Sequence, residues 1–347
     1  MEKSGTLSTP EQKHSKFKVH YTWIYVTERC NLHCDYCFFR HMHGREISLD
    51  AVEKLFLLFE KETGAPSTLI FSGGEAFLAK ENLFRILNEA HGRFKDTSLH
   101  IQTNGLLIDR DSIIELRRLG VTLEFGIDGA SEATLRHRCG LKPASFKKLT
   151  ETIRACVQAG IGCGSTMTVH PQEVDHMEQG LDFLREMGIP HVDVTPAAFM
   201  PWTPETVALF KTNYLKLARR PELRRTMYAN EDNEWIAPGY MDLSLHPPGY
   251  LLGGDPFLCL PENKRMEFNI WDDVGRFRPE VLAFYRTAHE KVHREHAKLP
   301  YREFVCHNFE LMNSMMGTQY MNTWAINDIL RFLTRTHLTL GVKKYGT

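Results

Sequence analysis

Three cysteines stand close together near the start of the chain. In the stretch 24–40 a β-branched and aromatic run ends in a polar turn, which carries Cys30, Cys34 and Cys37 at the spacing C-x3-C-x2-C. Three neighbouring thiols always leave one over when two pair as a disulfide, whereas soft thiolates are the usual protein ligands of iron–sulfur clusters. A cubane cluster needs four ligands, so these three residues would leave one iron open to something else.

Two other interpretations of the loop compete with this one. The loop could be a zinc site completed by His33 or His41, or it could hold three unrelated buried thiols. Zinc sites usually combine two C-x2-C or Cys/His pairs, and the sequence contains no second C-x2-C pair. We therefore favour the iron–sulfur interpretation.

The cysteine loop resembles the cluster motif of the radical S-adenosylmethionine (SAM) enzymes. The resemblance implies that Cys30, Cys34 and Cys37 hold three irons of a [4Fe–4S] cluster, and that the amino and carboxylate groups of SAM chelate the fourth. Tyr36 matches the aromatic residue of the motif, which is expected near the adenine. The implied reaction is reductive cleavage of SAM to a 5′-deoxyadenosyl radical that abstracts hydrogen from the substrate, with a flavodoxin- or ferredoxin-type electron donor.

The elements that must position this loop alternate along the chain. Apolar periodicity with Gly and Pro breaks predicts six strands alternating with five helices. After the first strand, the predicted strands lie at 68–72, 99–103, 122–127, 163–169 and 191–194, and the helices at 48–63, 81–93, 109–119, 145–159 and 175–187. This pattern predicts an α/β fold with a parallel sheet, either open and doubly wound or a partial barrel. The family resemblance implies the (β/α)6 partial TIM barrel.

Unusual residues follow the carboxyl ends of the predicted strands, where parallel sheets collect their chemistry. Gly73-Gly74-Glu75 resembles the Gly-Gly-Glu-Pro motif of the family, with Ala76 in place of proline. The glycines would let the backbone approach the SAM amino group, and Glu75 would offer a carboxylate to a cation, although a plain turn capped by Glu75 is the alternative. The further predicted cofactor-binding residues at strand ends are Thr103, Asn104, Asp128 and Thr168.

The stretch 126–146 resembles the subgroup that carries a C-terminal SPASM or twitch domain, whose members modify peptides and proteins most often. The resemblance implies that Arg138 helps to hold the SAM carboxylate, a role that suits a bidentate guanidinium. Arg136 lies two positions away, so on a helix only one of the two would face the site, and a solvated basic turn is the alternative. Asp128 is expected to contact ribose or substrate, unless it only caps the next helix.

The C-terminal region predicts a β-hairpin over 266–279, with Asp-Asp-Val-Gly as its turn. In SPASM and twitch domains one cysteine precedes such a hairpin and another follows the turn glycine by five residues. Cys259 and Gly275 fit this spacing, but Glu280 replaces the second cysteine. We expect a degenerate twitch-like fold, a β-hairpin plus helices, that lacks an auxiliary cluster unless Glu280, Glu303, His307 or the substrate completes one.

The spare cysteines have a second possible use. Some radical SAM epimerases return a hydrogen atom to the substrate radical from a lone cysteine thiol. Cys259 and Cys306 are the candidate hydrogen donors in this chain, and Cys139 and Cys163 are weaker candidates. A buried, inert thiol is the alternative for each of them.

The predicted organisation is a flexible tail at 1–20, the partial barrel at 21–200, a connector or lid at 201–258 and the twitch-like region at 259–347. Within the connector, 228–258 is expected to be a long irregular loop. The formal net charge of −1, with 42% hydrophobic and 24% charged residues, argues against a nucleic-acid partner. Since no apolar run approaches the roughly 20 residues of a membrane span, no membrane partner is expected.

Eight cysteines without regular pairing, in a sequence without an export signal, predict a cytoplasmic protein. The expected substrate is a peptide or a natural-product small molecule such as a sugar or nucleoside, and the expected reaction is epimerisation. Dehydrogenation or decarboxylation by a twitch-type enzyme, and peptide cross-linking with an auxiliary cluster, are the alternatives. The remaining alternative is a non-catalytic protein that binds zinc or an iron–sulfur cluster.

Overall fold

The structure is a computed structural model that describes residues 18–37, 44–197, 200–227 and 240–253, together with scattered positions between 266 and 333. Eight strands form one sheet in the order β6-β5-β4-β3-β2-β1-β7-β8. The strands are β1 (Lys18–Thr27), β2 (Thr68–Gly73), β3 (Ser98–Thr103), β4 (Thr122–Gly126), β5 (Cys163–Val169), β6 (His191–Pro196), β7 (Tyr240–His246) and β8 (Tyr250–Gly253).

Helices connect the strands and cover the sheet. They are α1 (Leu49–Leu58), α2 (Lys80–Arg93), α3 (Arg110–Arg118), α4 (Ser131–His137), α5 (Pro143–Gln158), α6 (Met177–Glu186), α7 (Pro204–Ala218) and α8 (Pro221–Met227). Strands β1 to β6 are parallel neighbours in chain order. The alternating strands and helices of the (β/α)6 partial barrel are therefore confirmed, with α4 as a short additional helix.

The two faces of the sheet differ in burial. On one face Ile24, Phe71, Ile101 and Phe125 are fully buried in the hydrophobic core that the sheet shares with the helices. On strands β3, β4 and β6, residues of the other face are half-buried and mostly polar, which gives an alternation of buried and intermediate positions. Because the parallel strands share one direction, their carboxyl ends lie along a single rim of the sheet.

The sequence prediction for 228–258 is wrong over 240–253. There β7 adds to the free side of β1 in parallel, and β8 returns antiparallel to β7. Leu243 and Leu245 are fully buried and alternate with polar residues, which is the pattern of a strand. The Pro247-Pro248-Gly249 turn between β7 and β8 is what made the segment look like a loop.

The tail at 1–17 and most of 259–347 lie outside the described residues, as do Cys259, Cys306, Glu303, His307 and the hairpin turn at 272–277. Arg278 joins the two predicted hairpin arms: its backbone N–H donates to the Ile270 carbonyl at 2.7 Å, and its Nη1 donates to the carbonyls of Asn269 and Met266. The domain boundaries at 200 and 258 stay predictions. None of the helices in the described part of the chain is long and apolar enough to span a bilayer.

Candidate functional site

The cysteine loop leaves the carboxyl end of β1. Cys34 is buried, while Cys30 and Cys37 are half-buried, and all three are free of disulfides. The Leu32 N–H donates to Cys30 Sγ at 3.4 Å. Burial raises the pKa of Cys30, and burial raises the pKa of Cys34 to about 12, with the other two cysteines contributing. A thiolate at one of these positions raises the pKa of its neighbours, so the three would ionise together most easily on a shared metal centre. Such a centre would bind all three as thiolates.

Gly73 and Gly74 pack the end of β2 against the start of the cysteine loop. The Gly74 N–H donates to the Thr27 carbonyl and the Glu75 N–H donates to the Arg29 carbonyl, both at 2.8 Å. A Cβ on Gly73 would lie 2.2 Å from the Thr27 oxygen, and one on Gly74 would lie 2.3 Å from the Arg29 oxygen. No side chain fits in this contact, so both glycines are needed for the approach of the two backbones.

Glu75 is fully buried, and its carboxylate binds groups of the chain itself. Oε1 accepts from the Phe77 N–H at 3.1 Å and from the Thr103 hydroxyl at 2.8 Å, while Oε2 accepts from the Asn104 N–H at 2.7 Å. Burial raises the pKa of Glu75 although these three hydrogen bonds oppose the rise. The carboxylate caps the 3₁₀ turn Ala76–Ala79 and also fixes the end of β3.

Asn104 connects the end of β3 to the cysteine loop. Its Nδ2 donates to Asn31 Oδ1 at 2.7 Å and lies 4.0 Å from Cys30 Sγ. Together with the bond from its N–H to Glu75, this places Glu75, Thr103 and Asn104 in one chain of contacts that ends beside the first cysteine. The structure therefore brings these three predicted residues together at the cysteine loop.

The Asp128 carboxylate, at the end of β4, accepts three hydrogen bonds. Tyr36 donates its hydroxyl to Oδ2 at 2.6 Å, Arg138 donates Nη2–H to Oδ1 at 2.8 Å, and the Thr168 N–H donates to Oδ1 at 3.2 Å. The α4 helix begins after Ala130 and has no side-chain cap there. The alternative that Asp128 merely caps the next helix is therefore wrong.

Arg138 is a buried cation, and one of its buried N–H groups has no acceptor among the described residues. Its side chain is 9% exposed and that of Asp128 is 3% exposed. Burial would lower the pKa of Arg138, but the negative charge of Asp128 raises it. Nε is buried and has no hydrogen-bond partner in the described part of the chain. An unmet N–H of a buried guanidinium near Cys30 and Cys34 fits the carboxylate of SAM.

Gly126 makes room for this guanidinium, since a Cβ there would lie 2.7 Å from Arg138 Nη1. The Arg138 guanidinium also lies over the Tyr36 ring, 5.8 Å from its centroid. Arg136 points elsewhere: it is half-exposed and bonds Glu173. Of the two arginines only Arg138 faces the site; Arg136 lies on α4, whereas Arg138 follows the helix as its non-helical C-cap.

Of the spare cysteines, Cys163 is far from this rim. It is the first residue of β5, so it lies at the amino edge of the sheet, roughly 20 Å along the strand from the carboxyl end. Burial raises its pKa to about 12. Cys139 directly follows Arg138 and its Sγ lies 3.8 Å from the His137 carbonyl oxygen. Cys139 is thus near the cysteine loop, whereas Cys163 is not near the site.

A buried network around His137 was not predicted. His137 Nδ1 lies 2.8 Å from Asp35 Oδ2 and Nε2 lies 3.3 Å from Glu173 Oε1. Asp35, His137 and His170 are close enough to share a metal ion. The two rings are stacked at 3.9 Å with an angle of only 11°, however, and the His170 Nδ1 accepts from the Gln172 N–H. The nitrogen lone pairs of two parallel, stacked rings cannot point at one ion. Asp35, His137 and His170 therefore form a hydrogen-bonded network and not a metal site.

Comparison with known proteins agrees with this geometry. The model of the radical SAM superfamily matches residues 24–195. Fe-coproporphyrin III synthase of Methanosarcina barkeri is 30% identical over 171 residues, which are 48% of this chain and 41% of that protein. PqqA peptide cyclase of Streptomyces rochei is 25% identical over 225 residues, which are 63% of this chain and 60% of that protein. The chain thus spans about half the length of these two relatives.

The fold has solved counterparts. Native anSMEcpe with bound AdoMet and the Kp18Cys peptide superposes with a TM-score of 0.59 at 14% identity, over 92% of this chain and 99% of that one. At this identity the likeness concerns the fold alone. With its three-cysteine loop and the matching domain at residues 24–195, the chain belongs to the radical SAM superfamily, whose cofactors are a [4Fe–4S] cluster and SAM.

Proposed function

We propose that this protein is an enzyme that cleaves SAM reductively and abstracts hydrogen from a peptide or a similar polar substrate. The observation that carries the proposal is the meeting of three unbridged thiols and the unmet Nε–H of Arg138 at one rim of the barrel. When bound, the cluster and SAM supply electron transfer and hydrogen abstraction. The chain's own residues bind these groups and hold them in a fixed orientation.

Each residue at the rim has a defined task in this proposal. Cys30, Cys34 and Cys37 hold three irons, and Arg138 binds the SAM carboxylate through its free Nε–H. Asp128 and Tyr36 keep the guanidinium in place, since both contact it directly; Asp128 is buried and Tyr36 is half-buried. The Glu75–Asn104 contacts fix the loop beside Cys30, and the two glycines let it approach β2.

A peptide substrate is supported by two of the proteins that resemble this chain. One curated relative is a peptide cyclase, and one solved neighbour holds a peptide together with AdoMet. Sugars or nucleosides of natural-product pathways are the alternative substrates. We place the enzyme in the cytoplasm with a flavodoxin- or ferredoxin-type electron donor, because a reduced cluster needs both a reducing compartment and an electron source.

For the outcome of the reaction we propose epimerisation, with Cys259 or Cys306 as hydrogen donor. The observation behind it is the single cysteine that precedes the predicted hairpin, together with Glu280 at the position of the second one. A dehydrogenase, decarboxylase or cross-linking enzyme would instead need an auxiliary cluster in 259–347. Turnover in D2O distinguishes these outcomes, because epimerisation leaves one deuterium at the substrate carbon and dehydrogenation leaves none.

Anaerobic reconstitution tests the proposal as a whole. Wild type should take up about four irons per chain and form 5′-deoxyadenosine from SAM under a strong reductant. The Cys30/Cys34/Cys37→Ala variant should lose both properties. A matched Cys156/Cys163→Ala variant, which removes two buried thiols away from the rim, should keep them. Iron retained in the first variant, or SAM left intact by wild type, contradicts the proposal; about eight irons would replace epimerisation by an oxidation.

A further inference from the structure

The end of α4 lies along the cysteine loop. The His33 N–H donates to the Cys139 carbonyl at 2.8 Å and the Asp35 N–H donates to the His137 carbonyl at 3.1 Å. These two backbone bonds flank Cys34 on both sides. The segment 137–139 therefore holds the loop at residues 33 and 35, whereas Gly74, Glu75 and Asn104 hold it at residues 27–31.

The His137 side chain adds a third bond to the same stretch of loop. Its Nδ1 lies 2.8 Å from Asp35 Oδ2, and because an ionised carboxylate only accepts, Nδ1 carries the hydrogen. The imidazole is 4% exposed and stacks on His170. Its orientation is thus fixed by a packed ring on one face and by hydrogen-bond partners at its edge.

Glu173 supports His137 from the far side. It lies in the 3₁₀ segment Pro171–His176 that follows β5, and its side chain is only 7% exposed. Its carboxylate accepts from Arg136 Nη1, lies 2.8 Å from His176 Nδ1 and lies 3.3 Å from His137 Nε2. Glu173 is therefore anchored by two neighbours besides His137, so the network links the end of β5 to the cysteine loop.

We propose that His137 is a positioning residue that holds the cysteine loop in its cluster-binding shape before the cluster arrives, with Glu173 as its support. His137 touches none of the three cysteine side chains in the contacts described above and acts through Asp35, which lies between Cys34 and Cys37 in sequence. That the loop binds an iron–sulfur cluster rests on the proposed function. Since Arg138 sits between His137 and Cys139, the same segment also places its guanidinium beside the loop.

Two conservative variants separate the two ends of the imidazole. The amide nitrogen of asparagine takes about the place of Nδ1, whereas that of glutamine takes about the place of Nε2. In metal-free protein we expect His137→Gln to speed the alkylation of Cys34 about tenfold, because a charge-assisted hydrogen bond that holds the loop closed is lost. His137→Asn keeps the bond to Asp35 and should stay within about twofold of wild type.

The controls distinguish positioning from general loosening. His176→Gln removes one partner of the Glu173 carboxylate while Arg136 still holds it, so the Cys34 rate should stay within about twofold of wild type. Cys163, buried at the other edge of the sheet, should react at the wild-type rate in every variant. Equal Cys34 rates in all variants, a His137→Asn rate as high as that of His137→Gln, or a parallel rise at Cys163 would overturn the proposal.

A second readout uses reconstituted protein. His137→Gln should bind less iron per chain and show an altered electron paramagnetic resonance spectrum of the reduced cluster, and His137→Asn should restore both. An unchanged spectrum and iron content in His137→Gln would overturn the proposal. Absence of iron from wild type would instead refute the proposed function. The positioning role of His137 would then be tested by the alkylation rates alone, which are measured without metal.

Discussion

Replacing Gly74 with alanine tests the contact between β2 and the cysteine loop most directly. The new Cβ would lie 2.3 Å from the Arg29 carbonyl oxygen, 2.6 Å from the Arg29 carbonyl carbon and 2.8 Å from the Glu28 carbonyl oxygen. All three atoms belong to the backbone, so rotation of a side chain cannot relieve the clash. The loop or the end of β2 has to move by about 1 Å to reach an ordinary contact distance.

The size of the effect follows from what that movement breaks. The two 2.8 Å bonds, Gly74 N–H to Thr27 O and Glu75 N–H to Arg29 O, lie within the contact that must open. Each such bond contributes about 0.5–1.5 kcal/mol, and overpacking costs about 1–3 kcal/mol. We therefore expect Gly74→Ala to reduce the free energy of unfolding by about 3 kcal/mol, a large part of the 5–15 kcal/mol of a typical domain.

Equilibrium urea unfolding and iron per chain after reconstitution are the assays. Gly92→Ala is the matched control: Gly92 lies in the last turn of α2, its new Cβ would have no neighbour within 4 Å, and the substitution should stabilise the chain by about 0.5 kcal/mol. We expect Gly74→Ala to lose iron as well as stability, and Gly92→Ala to keep both. An unfolding midpoint and iron content at wild-type level in Gly74→Ala would refute the reasoning.

Three further predictions concern charged and titratable groups. Arg138→Met leaves the buried Asp128 carboxylate without its cation and should destabilise by about 3–5 kcal/mol; urea unfolding should show that adding Asp128→Asn recovers part of this loss, whereas additive losses would contradict the pairing. In metal-free protein at pH 8, Cys34 should alkylate roughly a thousandfold more slowly than in urea, because burial raises its pKa to about 12 and depletes the thiolate; equal rates would contradict that burial. Burial also raises the pKa of Glu75 in the folded state. As pH rises, the unfolded chain therefore loses this proton at a lower pH than the native state does. The contribution of Glu75 to stability declines as pH rises through its folded-state pKa. Glu75→Gln should remove this decline in urea midpoints measured from pH 4 to 8, although the amide facing the Asn104 N–H lowers stability at every pH; a variant with the wild-type slope would contradict the assignment.

The sequence predicted the alternating strands and helices well because their signals are local, whereas the choice of a partial barrel came from the family resemblance. Strand runs such as 163–169 and helix periodicity such as 109–119 depend on neighbours a few positions apart, and the structure has β5 at Cys163–Val169 and α3 at Arg110–Arg118. The placement of the cysteine loop and of Glu75, Asn104 and Asp128 at one rim followed from parallel strand direction alone. These predictions needed no knowledge of distant contacts.

The failures of the sequence analysis share one physical cause, which is dependence on long-range pairing. The local alternation around Leu243 fits a strand, but its Pro-Pro-Gly neighbour obscured it, and nothing in the sequence indicates that the strand pairs with the edge of β1. The contact between Asp35 and His137 joins positions 102 apart, and no spacing rule connects them. Glu75 looked like a free carboxylate because its three donors come partly from the following strand.

The position of β1 between β2 and β7 has a consequence for the order in which the protein is made. Thr22 pairs with Leu69 on one side and with Leu243 on the other. At about 5–20 residues per second, β7 leaves the ribosome roughly 10–30 s after β2. Throughout that interval β1 presents an open row of N–H and C=O groups, which is a template for pairing with another chain. The strand that carries the cysteine loop thus stays without its second neighbour until β7 has been synthesised, and pairing of this edge with another chain is the reaction that folding has to outrun.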